Sequence, residues 1–180
     1  MKSFNRLRCL NQAVSDLIET LDLKDIEVAD IATDHGYLAE LLSRNQRVSK
    51  VLATDISTEV LQQAAAGVYC RSQIEALPEV WKRRFLRQIS QDRYEITQDI
   101  KDEVIFRQFN LMDTFPFKRK MHIVFLRNVM IYFDKETKNQ LIQKVYDVME
   151  PGGYLFVGQT ETIDRNNVPF ELIKPSIFRK

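Results

Sequence analysis

Five short apolar runs, set apart by helix-period stretches and one long connection, constrain this chain more than any other feature. They span 27–31, 50–54, 104–109, 121–126 and 154–158. Each is short enough to read as a buried strand. Residues 36–44 place Leu38, Leu41 and Leu42 at helical spacing. Residues 57–66 read as a second helix, with Ser57 or Thr58 as its cap and Gly67 just past its end. A third helix over 135–149, capped by Asp134, carries Leu141, Ile142, Val145, Val148 and Met149 in one apolar stripe. Pro151-Gly152-Gly153 ends it and turns the chain into the fifth strand. Residues 170–173 and 177–179, around Lys174-Pro175, form a closing hairpin. Strands alternating with helices predict an α/β fold, a doubly wound parallel sheet with right-handed crossovers.

One stretch does not fit a simple crossover. Residues 68–103 are too many for a strand-to-helix connection and carry a helix pattern over 78–88, with Pro78 at its first position, and alternating β-formers over 93–97. They are predicted to form a small inserted subdomain beside the sheet, within a single domain spanning 1–180. Lys plus Arg number 26 and Asp plus Glu 25, a formal charge of +1, so net charge makes no case for nucleic acid. The basic runs at 82–84 with Arg87, and at 118–120, read first as solvated faces. No apolar run approaches the roughly 18 residues of a membrane span, and the basic N-terminus has no apolar segment behind it, so neither insertion nor secretion is expected. Cys9 and Cys70, with two His, show no metal-ligand spacing. A cytoplasmic, metal-free protein is expected.

Ligands of open α/β sheets bind beyond the carboxyl ends of the strands, where the strand order reverses. The first strand runs into Asp30-Ile31-Ala32-Thr33-Asp34-His35-Gly36. A tight turn ending at Gly36 can aim backbone N–H groups at a ligand, while an ordinary strand-to-helix turn explains it equally well. Its acids, Asp30 and Asp34, disfavour a phosphate and suit a cationic or hydroxyl-rich group. Asp55, with Ile56 after it, ends the second strand about twenty residues beyond that turn, a position suited to a bidentate grip on two ribose hydroxyls; the alternative is a helix cap. Asn110 and Leu111 follow the third strand and offer an adenine ring one polar edge and an apolar face. Arg127 and Asn128, in Arg127-Asn128-Val129-Met130-Ile131-Tyr132-Phe133, follow the fourth. Inside a core they would be costly without partners, which places them at the mouth of the cleft.

From about 51 to 180 these blocks resemble the catalytic domain of chemotaxis-receptor glutamate methyltransferases of the CheR type. The similar segments are Ala53-Thr54-Asp55-Ile56-Ser57, Ala66-Gly67-Val68-Tyr69, Asn110-Leu111, Arg127 to Asp134, Pro151 to Gly158, and Pro175-Ser176-Ile177-Phe178-Arg179-Lys180. The resemblance implies a class I S-adenosylmethionine-dependent (Rossmann-like) methyltransferase fold, with the 68–103 insert as the family's small subdomain. It also implies S-adenosyl-L-methionine as cofactor, S-adenosyl-L-homocysteine as product and a chemoreceptor-like protein substrate. The family's N-terminal helical domain, and the Gly-Glu-Glu run after its first strand, have no counterpart in the first fifty residues. There the motif Asp30 to Leu38 resembles bacterial tRNA adenine-N1 methyltransferases instead.

In-line transfer from a sulfonium asks the protein to align acceptor and methyl group and to exclude water. A glutamate acceptor is ionised at neutral pH, so no general base is needed. Arg127 is expected to hold the acceptor carboxylate in a bidentate fork and Tyr132 to donate to it. Asn128 would hold the loop or the donor's amino-acid end, and Asp30 with Asp34 would take the donor's ammonium. Glu161, in Gly158-Gln159-Thr160-Glu161-Thr162, is read as structural. Protein-glutamate O-methylation is the leading expectation. A tRNA or RNA base methyltransferase, or a module that binds the cofactor without catalysis, are the alternatives.

Overall fold

Neighbouring side chains along each central strand leave in opposite directions, and in this chain both directions lead into apolar surroundings. The computed structural model describes residues 14, 16–19, 24–32, 39, 42–43, 45–75, 77, 79–115, 117–164 and 166–180. In chain order its elements are β1 (Ile26–Ile31), β2 (Val48–Asp55), α1 (Thr58–Ala66), β3 (Val68–Cys70), α2 (Arg71–Ile74), α3 (Glu79–Phe85), β4 (Leu86–Ser90) and β5 (Arg93–Ile96). Then come α4 (Gln98–Glu103), β6 (Val104–Gln108), β7 (Met121–Leu126), a 3-10 turn (Met130–Tyr132), α5 (Lys135–Val148), β8 (Met149–Val157), β9 (Glu171–Lys174) and β10 (Ile177–Arg179). Val28, Ile123, Phe125 and Phe156 join one buried cluster, together with the helical residues Val14, Ile18, Ala39 and Leu42. Ala29, Val124, Leu126, Leu155 and Val157 join the other, with Leu141, Ile142 and Val145 of α5. Strands covered on both faces read as continuous apolar runs, which is why the runs were so legible.

The main sheet has seven strands in the order β6-β2-β1-β7-β8-β10-β9. β6, β2, β1, β7 and β8 are mutually parallel, while β10 pairs antiparallel with both β8 and β9. This is the doubly wound α/β arrangement expected from the sequence. The helix expected over 36–44 lies mostly outside the described residues, although Ala39, Leu42 and Ser43 are helical.

The insert builds a second sheet, β3-β5-β4, over a small core of Tyr69, Ile74, Ile96 and Ile100. The helix predicted over 78–88 stops at Phe85, and Leu86–Ser90 is instead a strand. The reason is pairing: Leu86, Arg87 and Gln88 align with Ile96, Glu95 and Tyr94 across an antiparallel hairpin. Lys101 fastens this unit to α1 by donating from Nζ to the Ala66 carbonyl at 2.7 Å and to Glu95 at 3.0 Å. That bond first, and the Arg87 bond second, hold the Glu95 carboxyl below its ordinary value.

The sequence places the last parallel strand at 154–158, whereas β8 begins at Met149 and carries Pro151-Gly152-Gly153 inside it. Met121 pairs with Met149 and Ile123 with Tyr154, so the segment between them bulges out of register. The bulge accommodates a proline that has no N–H to give the ladder. It also brings backbone against backbone: a Cβ on Gly153 would meet the Glu150 and His122 carbonyls at 2.9 Å. Lys180 locks the same corner. Its Nζ donates to the Tyr146 and Met149 carbonyls at 2.7 and 2.9 Å, satisfying the exposed end of α5. At the other end of that helix Asp134 Oδ1 accepts from the Thr137 N–H at 2.9 Å, the cap read from the sequence. Gly153→Ala is expected to cost about 1–3 kcal/mol of stability through this clash, measured as a lower urea midpoint with an unchanged slope.

Candidate functional site

Strand order runs outward from β1 to β2 and β6 on one side, and through β7 to β8 on the other, so the reversal lies between β1 and β7. Register aligns the tips there. Ile31 stands opposite both Thr54 and Leu126, Leu126 opposite Val157, and Asp55 opposite Gln108. Whatever follows these residues emerges along one edge of the sheet.

Asp30 lies one residue short of that edge and is 6% exposed, inside the central strand. Asp34 and Gly36 lie outside the described residues. Asp55 is half-buried at the tip of β2. Its Oδ1 accepts from the Ser57 N–H at 2.8 Å, while Oδ2 has no partner among the described residues. The cap of α1 is Ser57, whose Oγ accepts from the Val60 N–H at 3.3 Å, so capping does not occupy Asp55. Ile56, next in sequence, is 65% exposed, and its carbonyl accepts from Gln108 Nε2 at 3.0 Å. Past β6, Asn110 Oδ1 accepts from the Met112 N–H at 2.9 Å, which turns the chain and leaves the amide group exposed. Leu111 packs back against the core cluster beneath.

The β7 tip delivers the remaining candidates. Arg127 is half-buried and already interacts within the protein; Asn128 is exposed, with φ of 59°. Tyr132, at the end of the 3-10 turn, is 79% exposed, with Ile131 beside it also exposed. Ile56, Met112, Ile131 and Tyr132 therefore leave large apolar surface uncovered on segments that follow the strand tips.

Glu161 explains how this loop keeps its shape. Its carboxylate is buried, and it accepts three backbone N–H groups: Asn128 at 2.9 Å and Gly158 at 2.6 Å on Oε2, and Met130 at 2.7 Å on Oε1. The sequence marked Glu161 as structural but gave no partner, because its donors are 31 and 33 positions away along the chain for Met130 and Asn128. Gln108 was missed altogether. Its only signal was its place as a polar residue inside the third run, between Arg107 and Phe109.

A cleft of about 680 Å³ opens elsewhere, on the insert, lined by Arg71, Glu75, Glu79, Lys82, Asp92 and Tyr94 among others. Two of its cations are bonded within it: Lys82 donates to Glu79 at 2.7 Å and Arg71 to the Tyr94 hydroxyl at 3.3 Å. The strand tips, with a carboxylate oxygen that has no partner among the described residues beside exposed apolar groups, suit a nucleoside better. Among the described residues no cluster of His, Cys, Asp and Glu can hold a metal, and no helix is long and apolar enough to cross a membrane.

Residues 5–178 match the family model described as the CheR methyltransferase SAM-binding domain. That match extends the resemblance at 51–180 back through the segment that resembles tRNA adenine-N1 methyltransferases, and the RNA-base reading is not favoured. The chain is 42% identical over 132 residues to a chemotaxis protein methyltransferase of Borreliella burgdorferi, covering 73% of this chain and 46% of the relative. It is 34% identical over 133 residues to one of Vibrio parahaemolyticus, covering 72% of this chain and 48% of that protein. The chain thus spans about half the length of these curated relatives. Among solved structures, the methyltransferase domain of bacterial CtHen1-C superposes with a TM-score of 0.55 at 17% identity, covering 85% of this chain and 64% of that one. An O-methyltransferase family protein from Burkholderia thailandensis gives 0.50 at 21%, covering 88% and 43%. These two likenesses establish the fold. The family match over nearly the whole chain, on a sheet whose tips gather Asp55, Asn110 and the 127–132 loop, makes this protein a member of the CheR methyltransferase family, in its S-adenosylmethionine-binding domain.

Proposed function

We propose that this chain supplies the cofactor-binding and acceptor-orienting part of a protein-glutamate O-methyltransferase whose substrate is a chemoreceptor-like protein. The observation that carries this reading is the shared edge of the strand tips, where an acid, an amide and an arginine-tyrosine loop lie in one line inside the matched family segment. We read 1–180 as one such domain, with 68–103 inserted in it.

The residues present fit the cofactor. Asp55 has an oxygen with no partner among the described residues to offer ribose hydroxyls, and Ile56 offers an exposed apolar surface next to it. Asn110 presents an amide to the adenine edge, with Leu111 below, and Asp30 and Asn128 are assigned to the amino-acid end. When bound, S-adenosylmethionine supplies a methyl group already activated on a sulfonium. Arg127 would hold the acceptor carboxylate in a bidentate fork, which fixes its orientation while lone pairs on its oxygens stay free to attack. Tyr132 donates its hydroxyl hydrogen to the same carboxylate. No side chain has to remove a proton, because the acceptor glutamate is ionised at neutral pH. What the protein contributes is alignment and exclusion of water.

Incubation with methyl-labelled cofactor and a receptor signalling fragment is expected to put label on the fragment in a form released by mild base, as an ester requires. Base-stable label, or none, contradicts the reading; cofactor binding without transfer leaves a binding module. The division of roles has its own check. Asp55→Ala is expected to lower S-adenosylhomocysteine affinity by roughly 100-fold, through loss of charge-assisted bonds, while Tyr132→Phe changes it less than roughly threefold. Equal losses in calorimetry would refute it.

A further inference from the structure

We propose that Glu161 is a positioning residue for this reaction: its buried carboxylate clamps the 127–132 loop, and with it Arg127 and Tyr132, to the tip of β8. The inference rests on reading that loop as the acceptor site. Burying a carboxylate is costly unless its oxygens are matched by donors. Here Asn128, Met130 and Gly158 match them from two separate segments. The anchored amides fall immediately after Arg127 and two residues before Tyr132, so the clamp brackets the loop between the two groups assigned to the acceptor.

Two further features show that the surroundings are built around this contact. Asn128 adopts φ of 59°, an uncommon conformation for a residue with a side chain, and its N–H is one of the three held. Gly158 leaves room for both partners: a Cβ there would stand 2.6 Å from Glu161 Oε2 and 2.7 Å from Asn128 Oδ1. The Glu161 N–H donates back to the Gly158 carbonyl at 3.0 Å, closing the turn that carries the carboxylate. Glutamine cannot replace it. An amide NH₂ would face an N–H donor at one of the two oxygen positions.

Site-resolved amide hydrogen exchange, S-adenosylhomocysteine calorimetry and methyl-transfer kinetics on the full chain test the proposal. Glu161→Gln is expected to speed exchange at Asn128, Met130 and Gly158 by at least roughly tenfold, as loss of charge-assisted bonds implies, with β1 amides unchanged. Turnover should fall by roughly 30-fold or more while product affinity stays within roughly threefold, the signature of a lost alignment rather than a lost fold. Gly158→Ala, which intrudes on the same carboxylate, should reproduce the pattern and decides the matter if Glu161→Gln does not fold. Unchanged exchange at the three amides, or equal loss of turnover and product affinity, overturns the proposal. If the wild-type chain transfers no methyl group, the activity reading fails, and the exchange arm still decides whether Glu161 holds the loop.

Discussion

A central strand buried on both faces and paired along both edges leaves its backbone almost no freedom, and β1 is such a strand. Ile26, Val28, Ala29 and Ile31 are each at most 1% exposed, and β2 and β7 pair with it in parallel on either side. A slip of one residue in either pairing would exchange every side chain between the two apolar clusters, so the register is strongly held. The positions of Asp55 and Arg127 follow from that register. The site is a by-product of core packing: the tips align because the strands beneath them cannot move.

Beyond the tips, rigidity comes from polar contacts instead. Asp55 and Asn110 each accept a backbone N–H from two residues ahead, which turns the chain sharply while leaving other polar atoms for a ligand. The 127–132 loop buries only Met130 fully and is held from below by Glu161. The corner at Gly153 and Lys180 performs the same service at the far end of β8, where the last residue caps α5 and a glycine lets two carbonyls approach. Apolar burial sets direction, and hydrogen bonds to backbone amides set the last ångströms.

The family comparison and the geometry answer different questions. Similarity over residues 5–178 places the chain in its family without depending on any one side chain. Among the described residues one Asp55 oxygen is bonded locally and the other has no partner, while both Glu161 oxygens are consumed within the protein. That difference separates the group proposed to meet a ligand from one that shapes the loop, although both are acids near the same edge.

Periodicity alone determined the strands, because burial on both faces makes a run apolar at nearly every position, and it placed α5 through the stripe at Leu141, Ile142 and Val145. It also placed Asp55 and the Arg127 loop at strand tips, since a polar residue that ends an apolar run has few other places to go. Periodicity misread Leu86–Ser90 and the start of β8, where a partner strand overrides local preference. Tertiary structure alone decided that Glu161 meets Asn128 and Met130. Chain spacing carries no signal for a contact between two loops, and a carboxylate's partners are set by where folding brings the backbone N–H groups.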